Sequence, residues 1–291
     1  MAAFGSMSQE VLAMARTKDG FDKTHLSIYS KYRIGEMHRD YIAHCFRWSF
    51  TARRCGALRI NKKQRKILDF GCGKDIPLLN TFMSSRQFDA FYKYVGVDLN
   101  TIEIPSNRQA VFRSPKYECQ IHSNTNILDI TTADIGDVNT VASFEVFEHC
   151  PPEVVRPILE HLHSLNDDDG EFIYSTPCYN GKAAKNHINE MSRDCFGWLL
   201  EETGHTIIEN YGTFANQRDY MPYLSDAELE IVNNLRKYHC SMVLSNFIAP
   251  LYPQYSRNNM WVCVKRVEGD ERLFPTPGDL PRSQNGYWDN D

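Results

Sequence analysis

The sequence predicts an α/β fold: a doubly wound, mostly parallel sheet of seven strands, with a helical extension ahead of it and an insertion before the last strand. Three observations carry this. Apolar runs alternate with helical patterns from residue 66 to 210, the arrangement of crossover units feeding a parallel sheet. The run Ile67-Leu68 ends on Asp69 and breaks into Gly71-Cys72-Gly73, a strand entering a tight glycine turn. Asp69, Asp98, Asp129, Glu145 and Thr176 each follow an apolar run, and in such sheets ligands sit at the carboxyl ends of the strands.

The elements follow in order. Residues 1–60 read as a helical extension, with Met1-Ala-Ala-Phe-Gly-Ser6 set aside as an expression remnant before Met7. Its basic side, including Arg33, Arg39, Arg47, Arg53 and Arg54, is expected to be a solvated helix face. The competing reading is a lid that brings Tyr32, Arg33 or His38 to the site. Asn61-Lys-Lys-Gln-Arg-Lys66 is a short basic linker. Strands are expected at 66–70, 92–98, near 117–122, at 138–144, 171–176, 206–210 and 260–265. Helices are expected at 77–88, from Pro151-Pro152 to His163, at 192–203 and near 226–238. Asn166-Asp-Asp-Asp-Gly170 reads as a turn, residues 212–258 as an acceptor-side insertion within a 61–268 domain, and 269–291 as a flexible tail.

Composition narrows the function classes. The 291 residues are 42% hydrophobic and 24% charged, enough for one large domain. A net charge of −5 disfavours a protein devoted to long nucleic acid. Nine scattered cysteines suit a reducing, cytoplasmic setting better than a disulfide framework. No apolar stretch is long enough to span a bilayer.

The glycine turn needs a partner, and Asp98 at the next strand end supplies it: an acid there accepts hydrogen bonds from ribose hydroxyls. A dinucleotide site wants a third glycine leading straight into a helix. Here Gly71-Cys-Gly73-Lys-Asp75 has none, and Asp75 would repel a phosphate. Asp69 suits an ammonium group instead.

The segments Ile67-Leu-Asp-Phe-Gly-Cys-Gly73, Val95-Gly-Val-Asp98, Phe144-Glu-Val-Phe-Glu-His149 and Asp169-Gly-Glu-Phe-Ile-Tyr-Ser-Thr-Pro177 resemble the ordered motifs of class I S-adenosylmethionine-dependent methyltransferases. The resemblance covers about residues 62–212 and implies the Rossmann-like methyltransferase fold. It implies that Asp69, Gly71, Cys72 and Gly73 line the methionine end, with Asp98 and Leu99 at the ribose. Asp129 or Asn126 would meet the adenine, and Phe144 completes the pocket.

Within that family, Glu145–His149 and Ser175–Lys182 are similar to the ubiquinone-biosynthesis O-methyltransferases. Glu145, Glu148, His149 and His187 are similar to the small-RNA 3′-terminal 2′-O-methyltransferases. At helical spacing Glu145, Glu148 and His149 would share one face. With a ligand from the loop around His187 they could hold a divalent cation, Mg²⁺ being favoured by oxygen donors. Without a metal, His149, His187 or Glu148 is the candidate base. The competing reading is that Glu and His merely cap the following helix. Tyr211, Tyr220, Tyr223, Tyr252, Tyr255 and Trp261 are expected to wall the acceptor pocket, the competing and commoner reading being a plain core. The expected activity is O-methylation of a small-molecule or nucleotide-sized acceptor. RNA 2′-O-methylation and a non-catalytic cofactor-binding subunit stand as alternatives; the oligomeric state has no sequence signal.

Overall fold

Neighbouring residues of the first strand go to different cores: Ile67 packs on one face of the sheet and Leu68 on the other. A strand's side chains alternate in this way, and burial on both sides explains its unbroken apolar run. The architecture is that of a computed structural model describing residues 40–57, 65–84, 91–104, 109–113, 117–267, 269–274 and 282–290. The expected lid residues Tyr32, Arg33 and His38, most of the 61–66 linker and the end of the 77–88 helix lie outside these described residues.

The elements are α1 (Tyr41–Ala57), β1 (Arg65–Phe70), α2 (Pro77–Ser84), β2 (Phe91–Asp98), β3 (Glu118–Ser123), β4 (Val138–Phe144) and α3 (Pro152–Leu165). They continue with β5 (Asn166–Pro177), α4 (Arg193–Glu202), β6 (His205–Phe214), α5 (Asp226–Leu235), α6 (Ser241–Phe247) and β7 (Asn258–Lys265). The sheet order is β3-β2-β1-β4-β5-β7-β6, with β7 antiparallel to both neighbours. The reversal between β1 and β4 opens a crevice at their carboxyl ends, where such sheets take their ligands. Ala52 and Cys55 of α1 join Leu79 and Phe82 of α2 on the Ile67 face. Val155 and Leu159 of α3 and Phe196 and Leu200 of α4 cover the Leu68 face.

Four expectations are corrected. Asn166–Gly170 is not a turn but the start of β5; the pairing slips between Val138 and Thr140, and the Asn166 amide bonds the Glu171 carbonyl at 3.1 Å across the irregularity. The basic side of α1 is not simply solvated. Arg47 is buried and ion-paired to Glu145 at 3.2 Å, while Arg54 reaches Glu171 and Glu209 at 2.9 and 2.6 Å. Acids on β5 and β6 and just after β4 draw these guanidinium groups inward. The tail is docked where it is described: Trp288 is buried in the main core and Phe274 packs over Gly197. Trp261 and Tyr220 are core residues rather than pocket walls, Trp261 in the main core and Tyr220 in a satellite cluster formed by the insertion.

The glycine turn is fixed by two separate constraints at Gly71. Its φ is +71°, a region side chains avoid, and a Cβ there would lie 2.3 Å from Val146 Cγ2. Gly71→Ala is therefore expected to destabilise the fold by about 2–4 kcal/mol, the left-handed cost plus overpacking. Denaturant titration of Gly71→Ala alone and with Val146→Ala checks this. The second change should recover the clash component and leave the dihedral cost.

Candidate functional site

The glycine turn and the end of β2 are tied together. Gly71 and Cys72 donate their N–H groups to the Val97 carbonyl at 2.8 and 3.3 Å. Asp98 accepts from the Gly73 N–H at 3.0 Å with one carboxylate oxygen, and from the Asn100 backbone and side-chain amides at 2.8 and 3.0 Å with the other. Asp98 thus holds the glycine turn in place, with Leu99 at the bend just beyond it. Asp69 is buried and accepts a hydrogen bond from the Tyr94 hydroxyl. Burial pushes its pKa up to about 7, with the Tyr94 bond opposing and the Asp98 charge adding to the rise. Among the described residues neither carboxylate has a basic partner, so this end of the crevice suits a ligand that brings its own positive charge.

The remaining residues expected at the cofactor are dispersed around this turn. Cys72 is buried under Gly96, its thiol pushed up by burial and by the two acids. Asn126 accepts from the Leu128 N–H at 3.1 Å and so caps the short turn Ile127–Asp129, on which Asp129 is exposed. Phe144 packs against the Ile67-side core.

After β4 the chain does not continue as a helix. Glu145 takes φ +56°, and the turn that follows, Phe147–His149, is a single 3₁₀ turn anchored by buried Phe147 against Phe70, Tyr174 and Phe196. The shared helical face expected for Glu145, Glu148 and His149 is therefore absent. The Glu145 carboxylate instead meets Arg47, accepts from Ser175 at 3.0 Å and accepts from Asn258 at 2.8 Å. Glu148 and His149 do converge, and His187 from the loop after β5 joins them, their ligand-capable atoms lying within 4.8 Å of one another.

Each imidazole is held by its Nδ1. In His149 this atom lies 3.2 Å from the Asn186 carbonyl; in His187 it lies 2.5 Å from Glu190 Oε1. That leaves both Nε2 atoms for a ligand or a proton, the usual arrangement of an oriented metal-binding or general-base histidine. The rings meet edge to face with centroids 4.9 Å apart. Burial, then the neighbouring His187, lowers the His149 pKa to about 4, so this ring is neutral at pH 7. Glu148 is 1% exposed, and its pKa is raised by burial and by the charge of Glu145. The Glu148 carbonyl accepts from the Ile188 and Asn189 N–H groups at 3.0 and 3.1 Å, which docks the His187 loop onto the Glu148 turn.

Four site residues carried no sequence signal for these roles. Arg257 holds Glu190 at 2.6 Å, Gln284 bonds the His187 carbonyl, and Arg47 and Asn258 hold Glu145. All four act across long stretches of chain, so spacing could not reveal them.

No curated protein matches the chain. Among solved structures it is similar to the 1,6-didemethyltoxoflavin-N1-methyltransferase of Burkholderia thailandensis, solved with 1,6-didemethyltoxoflavin and S-adenosylhomocysteine. The identity is 13% and the TM-score 0.50, over 92% of this chain and 94% of that one, a likeness of fold. Magnesium protoporphyrin IX methyltransferase of Synechocystis PCC 6803, with bound S-adenosylmethionine, scores 0.48 at 13% identity over 90% of this chain and 100% of that one. The methyltransferase-domain family profile matches residues 48–210, more than half of the sequence; the chain belongs to that family and is an S-adenosylmethionine-dependent methyltransferase.

Proposed function

We propose that this enzyme methylates an oxygen of a small-molecule or nucleotide-sized acceptor at the Glu148–His149–His187 cluster, with a divalent cation such as Mn²⁺ or Mg²⁺ held there. The observation that carries the proposal is the cluster's donor set: a buried carboxylate and two imidazoles whose ligand-capable atoms lie within 4.8 Å of one another, each ring tied through Nδ1. Glu148 accepts a 3.3 Å hydrogen bond from Thr176, and a buried carboxylate is costly unless a proton or cation joins it; two imidazoles beside one carboxylate suit Mn²⁺ better than Mg²⁺. Glu148, His149 and His187 would hold the ion; Glu145, bracketed by Arg47, Ser175 and Asn258, would act as their support. A bound cation would lower the pKa of an acceptor hydroxyl and fix a neighbouring oxygen.

S-adenosylmethionine supplies the methyl group on a sulfonium that needs no further activation. Asp69 would take its ammonium, Gly71, Cys72 and Gly73 would line the methionine end, and Asp98 with Leu99 would hold the ribose. Asn126 or Asp129 would meet the adenine, and Phe144 would close the pocket beside the reacting carbon. The chain's own task is positioning and deprotonation. The acceptor oxygen forms a bond to the methyl carbon as the carbon–sulfur bond breaks. With a cation bound, both imidazoles are its ligands and the hydroxyl, its pKa lowered, would give its proton to solvent; without one, His149 or His187 would take the proton. In either case S-adenosylhomocysteine leaves. Glu190 keeps His187 Nδ1 engaged throughout: burial opposes its ionisation, but His187, the Ala184 N–H and Arg257 together hold it in the carboxylate form.

Two outcomes are expected. The first concerns Asp69. Its folded pKa lies above the ordinary carboxylate value, so the free protein holds a proton there up to about pH 7. An ammonium ligand favours the ionised form, so cofactor binding must expel that proton. Calorimetry with S-adenosylhomocysteine should show affinity about tenfold weaker at pH 6 than at pH 8, with proton release near pH 6. Asp69→Asn should remove both effects. A flat pH profile in the parent protein would take Asp69 away from the ammonium.

The second concerns acceptor and metal. S-adenosylhomocysteine formation should be seen with small acceptors carrying two adjacent oxygens, such as catechols, and weakly or not at all with RNA bearing a free 3′ diol. EDTA should suppress it and Mg²⁺ or Mn²⁺ restore it. Glu148→Gln should lower turnover by at least about tenfold while leaving cofactor affinity in place. Turnover indifferent to chelation would remove the metal and leave His149 or His187 as a base alone. Turnover on RNA exceeding that on every small acceptor would reverse the acceptor assignment.

A further inference from the structure

The loop bearing His187 is gripped from two sides. On one, Met191 bridges in parallel to Cys178, and Tyr179 donates to the Met191 carbonyl at 2.9 Å. On the other runs the 282–290 segment. Ser283 pairs antiparallel with Met191, and the Arg282 carbonyl accepts from Ser192 N–H at 2.6 Å. Gln284 makes three bonds to the loop: its N–H donates to the Glu190 carbonyl at 2.9 Å, its Oε1 accepts from Glu190 N–H at 3.1 Å, and its Nε2 donates to the His187 carbonyl at 2.7 Å. Trp288, 2% exposed, anchors the segment in the main core and donates through Nε1 to Asn189 at 3.1 Å.

We infer that the 282–290 segment is a positioning strap for His187, with Gln284 as its working residue and Trp288 as its anchor. The inference rests on the role given to His187 above. Its physical content is specific. Gln284 fixes the backbone of His187 and also the backbone of Glu190, the residue that orients the His187 ring. A loop of this length without regular structure keeps a side chain in place only if its main-chain groups are satisfied. Here the satisfaction comes from a segment far away in sequence, and it converges on the two residues that set one ring's position. Positions within about 0.5 Å matter at such sites, and supporting residues set them. Among the described residues its hydrogen bonds run to the His187 loop and none to the glycine turn or Asp98, so its expected effect is on the His187 side.

The test uses full-length Gln284→Ala, Trp288→Ala, His187→Ala and the His187→Ala/Gln284→Ala double variant. Three quantities are measured: amide hydrogen exchange over residues 186–191, affinity for Mn²⁺ alone by electron paramagnetic resonance, and affinity for S-adenosylhomocysteine. Gln284→Ala should speed exchange at Ile188 and Asn189 and weaken Mn²⁺ about tenfold, with S-adenosylhomocysteine affinity unchanged. The double variant should bind Mn²⁺ no more weakly than His187→Ala, because a residue acting through His187 has nothing left to act on. A merely structural tail would instead give additive losses and weaken S-adenosylhomocysteine as well. Parent-like exchange in both Gln284→Ala and Trp288→Ala, or additive losses in the double variant, overturns the strap. Parent-like Mn²⁺ affinity in His187→Ala overturns the metal reading instead, and the exchange at Ile188 and Asn189 then decides the strap by itself. If Trp288→Ala fails to fold, Gln284→Ala carries the test.

Discussion

The left-handed residue at the end of β4 is the constraint on which the Glu148–His149–His187 cluster depends. A non-glycine residue at φ +56° costs on the order of 1–3 kcal/mol and persists only if its surroundings over-determine it. Glu145 is over-determined. Its N–H donates to the Ser175 carbonyl at 2.9 Å, and its carboxylate is shared among Ser175, Asn258 and Arg47. Those partners come from β5, β7 and α1, so three separate elements fix one turn. Because the chain turns there instead of entering a helix, Phe147 drops into the core and the next two side chains, Glu148 and His149, are presented at the crevice.

Electrostatics then accounts for the cluster's composition. Glu148 sits in a place where its charge is disfavoured by burial, by Glu145 and by Glu190, with Arg47 in partial opposition. Lone buried carboxylates are expensive, so such a site works as a receptor for positive charge or as a store for a proton. The crevice has a second pair of buried acids at Asp69 and Asp98, without basic partners among the described residues. One enzyme therefore carries two groups of buried acids, one at β1–β2 and one after β4. A sulfonium donor with an ammonium tail matches the first, and a cation-assisted hydroxyl the second.

How much of this was legible in the sequence follows the distance over which each contact acts. The β4 strand, the glycine turn and the acid at the end of β2 are local features, written in a few adjacent residues, and were read with nearly the observed bounds. The family likewise followed from motifs in order. The Glu145–His149 spacing was read as helical because i, i+3, i+4 has that meaning in isolation. Tertiary contacts to Ser175, Asn258 and Arg47 overrode it, and no window around residue 145 contains them. The same holds for Arg47, whose charge marks it as a surface residue until an acid across the fold pulls it in. Asn166–Gly170 has turn composition, yet sheet pairing absorbed it once the Asn166 amide satisfied the Glu171 carbonyl. Low apolar content led the 269–291 stretch to be read as loose, although one tryptophan is enough to anchor its last part.

These differences divide the site along one line. The proposed cofactor end is built from a strand, a turn and the next strand, elements adjacent in the sheet and short in sequence. The proposed acceptor end is assembled from α1, the β4 turn, the loop after β5, the base of the insertion at Arg257 and the 282–290 segment. A common donor can be served by a local, reusable turn, because its shape does not change from one methyltransferase to another. An acceptor must be matched individually, so its site recruits whichever distant segments supply the needed groups. Arg257 illustrates this: it lies at the exit of the insertion, donates to the carbonyls of Cys178 and Lys182, and clamps Glu190. Through that one guanidinium the insertion's footing, the His187 loop and the orientation of a candidate catalytic ring form a single mechanical unit. A change in the insertion can therefore reach the chemistry without touching it.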